Sequence, residues 1–200
     1  LALYEGSPFL HMLPTVRNET KGALEKNDLT VVQIGLRSRS SSLRSFGTEG
    51  LKEIAQARGS YAFSVFADAK TRHGMVAAFL TCERGIGVLL PSAQAPTGFG
   101  LKGLDAYLCA RLEFGRLRVE PGKRRPTDTL LLGLFEDARL GLESYAESVA
   151  RLYGIKPKEK SGVYCSWYHA GASNEKALLE NARFVSQKLK PFGLRVIQID

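Results

Sequence analysis

Residues 162–200 carry the pattern that most narrows what this chain can fold into. Val163-Tyr164-Cys165-Ser166-Trp167-Tyr168 is a run of aromatic and small residues of the kind that strands use. Ser173 or Asn174 can cap a following helix through a side-chain oxygen. The core face of that helix is Leu178, Ala182, Val185 and Leu189, spaced four, three and four apart. Lys188 and Lys190 complement its C-terminal dipole, and Pro191 and Gly193 stop it. Leu194 to Ile199 is an almost fully apolar run, as a strand buried on both faces of a parallel sheet requires. The segment therefore reads β-α-β with a right-handed crossover, and Asp200 stands at the C-terminal end of its second strand.

The preceding residues read as β structure. Thr30 to Leu36, Tyr61 to Phe66, Met75 to Thr81, Gly85 to Leu90 and Leu130 to Phe135 are rich in strand formers. Leu112 to Val119 alternates cleanly, with Leu112, Phe114, Leu117 and Val119 set against Arg111, Glu113, Arg116 and Arg118. Short strands punctuated by Gly and Pro predict a sandwich, with a helix-like interruption over Thr48 to Ala57 and a loop over Ser40 to Ser42. Residues 142–153 switch to a helical period through Leu142, Tyr145, Ala146, Val149 and Leu152 or Tyr153, with Gly154 placed for a left-handed cap. Lys156 to Gly162 is polar and reads as a linker. The expected organisation is mixed: an all-β sandwich over 1–140, a connecting helix and linker over 141–161, and over 162–200 a β-α-β unit, which the resemblance given below implies is the first of a (β/α)8 TIM barrel. Both termini read as cuts, because Leu1 is not Met and Asp200 follows directly on a core strand.

The net charge of +8 raises nucleic-acid binding as an option. Its clusters, Lys123-Arg124-Arg125 and Lys156, Lys158, Lys160, look like a turn and a linker with no interleaved aromatic platform, so a scattered basic surface is expected and no nucleic-acid partner. No apolar run approaches the ~20 residues that cross a bilayer, so no membrane partner is expected either. Cys82, Cys109 and Cys165 are far apart and read as buried free thiols rather than a disulfide framework or a zinc site. The pair Cys165 and His169 is half a metal site at most. Neither the compartment, cytoplasmic or periplasmic and secreted, nor the existence of a homo-oligomer is fixed by these residues.

The candidate functional residues lie at the strand ends. A carboxylate that ends an apolar parallel strand, as Asp200 does, can bind a ligand at the rim where (β/α) barrels keep their active sites, or it can cap the next loop. Trp167 can line a sugar pocket, its flat face against pyranose C–H groups and its N–H on a hydroxyl, or it can pack the rim. Ser166 lacks a G-x-S-x-G context and is not read as a nucleophile, and His169 reads as structural.

Three stretches carry a resemblance: Gly162-Val163-Tyr164-Cys165-Ser166-Trp167-Tyr168-His169, Leu179-Glu180-Asn181-Ala182 in the helix, and Val196-Ile197-Gln198-Ile199-Asp200. In order and spacing they resemble the α-galactosidase (melibiase) and raffinose-synthase family, glycoside hydrolase family 36, with its "G-W-C-S-W-Y-x-Y" strand, "I-L-E-N" helix and "V-Q-I-D-D-G" strand end. The upstream β region fits that family's sandwich by layout only. Tyr164 departs from the family's usual Trp, Ala170-Gly171 from an aromatic pair, and Trp167 is the single tryptophan.

The resemblance implies a retaining glycoside hydrolase that cleaves terminal α-galactosides by two aspartates, whose carboxyl groups stand ~5–5.5 Å apart in such enzymes. Both would come from later barrel strands, so no catalytic residue is expected in this chain, which alone should be inactive. What carries over is substrate binding: Trp167 lining the galactose subsite, and Asp200 reading galactose hydroxyls on the axial O4 side. The implied partner is a galactoside oligosaccharide, and no metal or organic cofactor is expected. A non-catalytic carbohydrate-binding or scaffolding sandwich and a raffinose-synthase-type galactosyltransferase are the alternatives.

Overall fold

The apolar runs and alternating segments resolve into layers whose burial explains their patterns. The computed structural model describes residues 1–38, 42–100, 102–156, 158, 161–166 and 174–199, and the chain divides into two compact units, Leu1–Ile155 and Lys156–Asp200. In chain order the first unit contains β1 (Ala2–Leu3), β2 (Leu10–Met12), β3 (Thr15–Arg17), β4 (Leu24–Leu36), β5 (Leu43–Gly47), β6 (Gly50–Glu53) and β7 (Ser60–Tyr61). It continues with β8 (Phe63–Asp68), β9 (Gly74–Phe79), β10 (Ile86–Ser92), β11 (Ala106–Val119), β12 (Arg124–Pro126), β13 (Leu130–Phe135) and helix α1 (Ala138–Tyr153).

A seven-stranded sheet, in the order β1-β2-β13-β9-β8-β5-β6, faces a four-stranded one, β4-β11-β10-β7, and β12 pairs with β3 in a short ribbon. Every pairing in this unit is antiparallel. Between the sheets, Leu89, Leu108, Ala110 and Leu112 meet Phe66, Met75, Ala77, Phe79 and Leu130. On the other face of the large sheet, Val65, Val76, Ala78 and Leu131 lie under α1 with Phe9, Ala138, Leu142 and Tyr145. Strands β8, β9 and β13 are thus covered on both faces, which is why Met75–Phe79 and Leu130–Leu132 are continuous apolar runs. Strand β11 is covered on both faces only at its start, Ala106–Leu108, and mainly on one face beyond it, which is why it alternates from there.

Two close approaches hold the layers. A Cβ on Gly87 would overlap the Phe79 ring, so glycine lets β10 seat against β9. The Tyr145 hydroxyl donates to the Phe79 carbonyl at 3.0 Å and fixes α1 on the sheet; burial pushes this phenol up to about 12. The helix ends as its sequence predicts, on Gly154 in the left-handed region (φ 61°). At its start the Asp137 carboxylate accepts the Arg139 N–H at 3.0 Å and grips the Arg139 guanidinium at 2.7 Å.

Buried polar groups close the loops. Asp128 is fully buried and accepts four hydrogen bonds, from the Thr81 hydroxyl (2.8 Å) and from the N–H groups of Glu83 (2.9 Å), Arg84 (3.1 Å) and Gly85 (2.9 Å). Asn18, 1% exposed, donates to the carbonyls of Gly22 and Val119 and accepts from Thr20, so it ties the β3–β4 connection to the end of β11.

Three expectations are corrected. The stretch Thr48 to Ala57 is strand β6 followed by a single 3-10 turn, Ile54–Gln56, because Gly50 (φ 81°) lets the chain fold back and pair with β5. The run Tyr61 to Phe66 is two strands in two sheets: Ala62 takes a left-handed conformation (φ 62°), which swings the chain from β7 in the small sheet to β8 in the large one. Cys82 is exposed rather than buried, and Cys109 is half-buried.

Two outcomes follow. Asp128→Ala should cost about 2 kcal/mol in urea unfolding, since it takes from the Thr81 hydroxyl and three backbone N–H groups the fully buried acceptor they share, and Asp128→Asn should cost less; an unchanged midpoint for the alanine variant would refute the clasp. The Arg139 side-chain hydrogen bonds, then its backbone N–H, hold the Asp137 carboxyl down at about 2 from its ordinary 3.8. A depressed carboxyl stabilises the fold above its unfolded value, and that contribution is lost as pH falls from 3.8 towards 2. A carboxyl NMR titration should show the low value in the native chain and a rise in Arg139→Ala.

Candidate functional site

The second unit, described by itself, holds β14 (Gly162–Cys165), α2 (Glu175–Phe184), a π-helical turn (Val185–Leu189), a 3-10 turn (Lys190–Phe192) and β15 (Leu194–Gln198). Strands β14 and β15 are parallel, with Val163, Tyr164 and Cys165 opposite Val196, Ile197 and Gln198. Their C-terminal ends are therefore in step, and Ser166 and Ile199 leave from the same edge of the pair. Trp167 and Asp200, the residues that sequence reasoning singled out, follow directly on these and lie outside the described residues, as does His169. Ser166 is 6% exposed at the strand end.

Helix α2 is built as its residues predict. Of the two candidate caps, Asn174 has an extended backbone and accepts the Ala177 N–H at 2.9 Å; Ser173 lies outside the described residues. Val185 is buried, and Leu178, Ala182 and Leu189 are half-buried, while the flanking Leu179 and Phe184 are exposed. Gly193, in the left-handed region (φ 90°), ends the turn that leads into β15. Asn181 gains a role that the sequence reading did not give it: its amide donates to the Tyr164 hydroxyl at 3.3 Å and links the helix to β14.

The expectation of a strand buried on both faces is corrected here. Tyr164 and Ile197, neighbours on one face of the pair, are half-buried, whereas Val163 and Val196, neighbours on the other, are 51% and 44% exposed. One helix covers one face of a two-stranded sheet, and among the described residues nothing covers the second.

No protein-family model matches the chain, and no curated protein does. Among solved structures it is similar to the GH36 α-galactosidase AgaB from Geobacillus stearothermophilus, with a TM-score of 0.53 and 12% identity over 98% of this chain. The chain spans 30% of that structure's length. At 12% identity the likeness is one of fold. The class so defined is a helix-backed β-sandwich followed by a parallel β-α-β unit. Within that class, the fold is similar to that of the GH36 α-galactosidase.

The open valine face generates a prediction. Replacing Val163 and Val196 together by Lys should lower self-association of the 200-residue chain in light scattering and leave the unfolding of the first unit unchanged. Unaltered association would place the sticky surface elsewhere.

Proposed function

We propose that this chain is a portion of a retaining glycoside hydrolase acting on terminal α-galactosides, and that residues 162–200 open its (β/α)8 barrel. The carrying observation is the parallel β14-α2-β15 unit whose strand ends are in step, preceded by a sandwich of GH36-like fold. Neighbouring strands run ~4.8 Å apart, so groups borne on the ends of two adjacent strands can touch a single pyranose. The division into a sandwich, a linker and a barrel start belongs to this reading.

In it, Trp167 lays its indole face on the C–H face of galactose and donates its N–H to a hydroxyl. Asp200 is acceptor-only when ionised, so it takes hydroxyl hydrogens on the axial O4 side. A glucose epimer would leave that desolvated carboxylate unpaired, which is how a single group discriminates between the two sugars. The nucleophile and the acid/base would sit on later strands of the parent protein, so this portion binds and orients while the chemistry happens elsewhere.

The test is the full-length gene product, assayed on aryl α-galactoside and aryl α-glucoside beside the 200-residue chain. The full-length protein should release galactose with retained configuration and Asp200→Asn should lower kcat/KM roughly 100-fold, as loss of charge-assisted hydrogen bonds does. The 200-residue chain should show no turnover above background. Turnover by that chain, or an inert full-length protein, would overturn the reading; inertness with retention on immobilised galactoside would favour a binding module instead.

A further inference from the structure

The outer face of the four-stranded sheet is divided in two. Over one part Phe99 and Leu104 cover Tyr107: Phe99 meets its ring edge-on at 5.6 Å, and the Leu104 N–H donates to its hydroxyl at 3.1 Å. The other part is open. Register sets Tyr61, Val88 and Arg111 in one row across β7, β10 and β11, so the three side chains stand side by side on this face. With Glu49, Arg58 and Glu113 they line a hollow of about 320 Å³, at the lower end of the ~300–1,000 Å³ range of small-molecule clefts.

The chemistry of this hollow is specific. Val88 is 7% exposed and gives an apolar floor, and Tyr61 is 61% exposed and gives an aromatic face. Arg111 donates to Glu113 at 2.6 Å, yet its Nε is shut off from solvent and has no hydrogen-bond partner among the described residues. Closed to solvent, that Nε is closed to a ligand in the hollow as well; the side chain as a whole is 32% exposed, so a ligand would meet the outer guanidinium nitrogens. Glu49 and Arg58 are exposed and make no ion pair among the described residues. Two guanidinium groups against two carboxylates leave no net charge, which disfavours a phosphate or another anion. Donors and acceptors in equal supply, beside an apolar floor and an aromatic face, match a neutral polyhydroxylated ring.

We propose that this hollow is a saccharide-binding subsite on the sandwich, built wholly from residues of the first unit. The choice of a sugar rests on the glycoside-hydrolase reading; the hollow and its lining do not. Tyr61 would stack on the ring, Arg58 and Arg111 would donate to hydroxyl oxygens, and Glu49 and Glu113 would accept from hydroxyl hydrogens.

The experiment is an amide NMR titration of the 200-residue chain with raffinose, repeated with maltotriose and with inorganic phosphate. Raffinose should shift resonances of Tyr61, Val88 and Arg111, and Tyr61→Ala should weaken that binding about tenfold without moving the unfolding midpoint. Arg111→Lys, which replaces the guanidinium fork by a single ammonium, should weaken it as well. Equal shifts with maltotriose would still support a saccharide subsite, one of broad choice. Shifts confined to Tyr164–Ser166, competition by phosphate, or no saccharide-dependent shift would each overturn the subsite. None of these results depends on turnover, so an inert full-length protein would sink the galactosidase reading and leave the subsite to be judged on its own titration.

Discussion

Phe79 joins all three layers of the first unit. Its ring lies against Gly87 of the small sheet. Its N–H donates to Ala62 at the crossover between sheets, at 2.7 Å, and its carbonyl accepts from Tyr145 of the covering helix, at 3.0 Å. Each contact constrains the next. The ring fixes the spacing between sheets, that spacing sets where the chain must cross, and the crossing residue adopts a backbone conformation that costs about 1–2 kcal/mol for a non-glycine residue. Such a cost persists only where the surroundings over-determine it, and here the Ala62 N–H is also held, by the Gly87 carbonyl at 2.9 Å.

The same logic governs the charges. Ion pairs such as those of Arg116 and Arg118 with Glu25 link exposed residues across adjacent strands. Exposed pairs of this type contribute little to stability. The buried carboxylate of Asp128 is different in kind, because three backbone N–H groups and a hydroxyl replace the water it has lost. It organises the turn between β9 and β10 from the residue two places before β13, and so sets three strands by one group.

Much of the local structure was legible because its signal is periodic. The face of α2, the left-handed Gly154, the alternation of β11 and the parallel β-α-β order all follow from short-range spacing. What was not legible depends on partners distant in sequence. Alanine carries no mark of a left-handed backbone, so the break at Ala62 is invisible until two sheets compete for the chain. Asp128 sits in a Thr-Asp-Thr stretch that reads as an ordinary loop until Glu83 to Gly85 close on it. Leu51 to Glu53 pass for helix because a strand of that length has no period of its own. The strand-end residues Trp167 and Asp200 came from a motif, whereas the row of Tyr61, Val88 and Arg111 is assembled by register alone and leaves no motif to read.

The place of the first strands has a consequence for how the molecule comes into being. Strand β2 finds its partner in β13, Met12 opposite Leu130 and Leu10 opposite Leu132. A ribosome that has released the N-terminal segment must still add more than a hundred residues before that partner exists. Until then β2 has only the two-residue strand β1 beside it, and Phe9, a core residue 1% exposed in the finished fold, lacks its neighbours, while the β8–β9 hairpin can already close. Contacts of such long sequence separation are slow to form, so the opening residues of the chain should be among the last to settle.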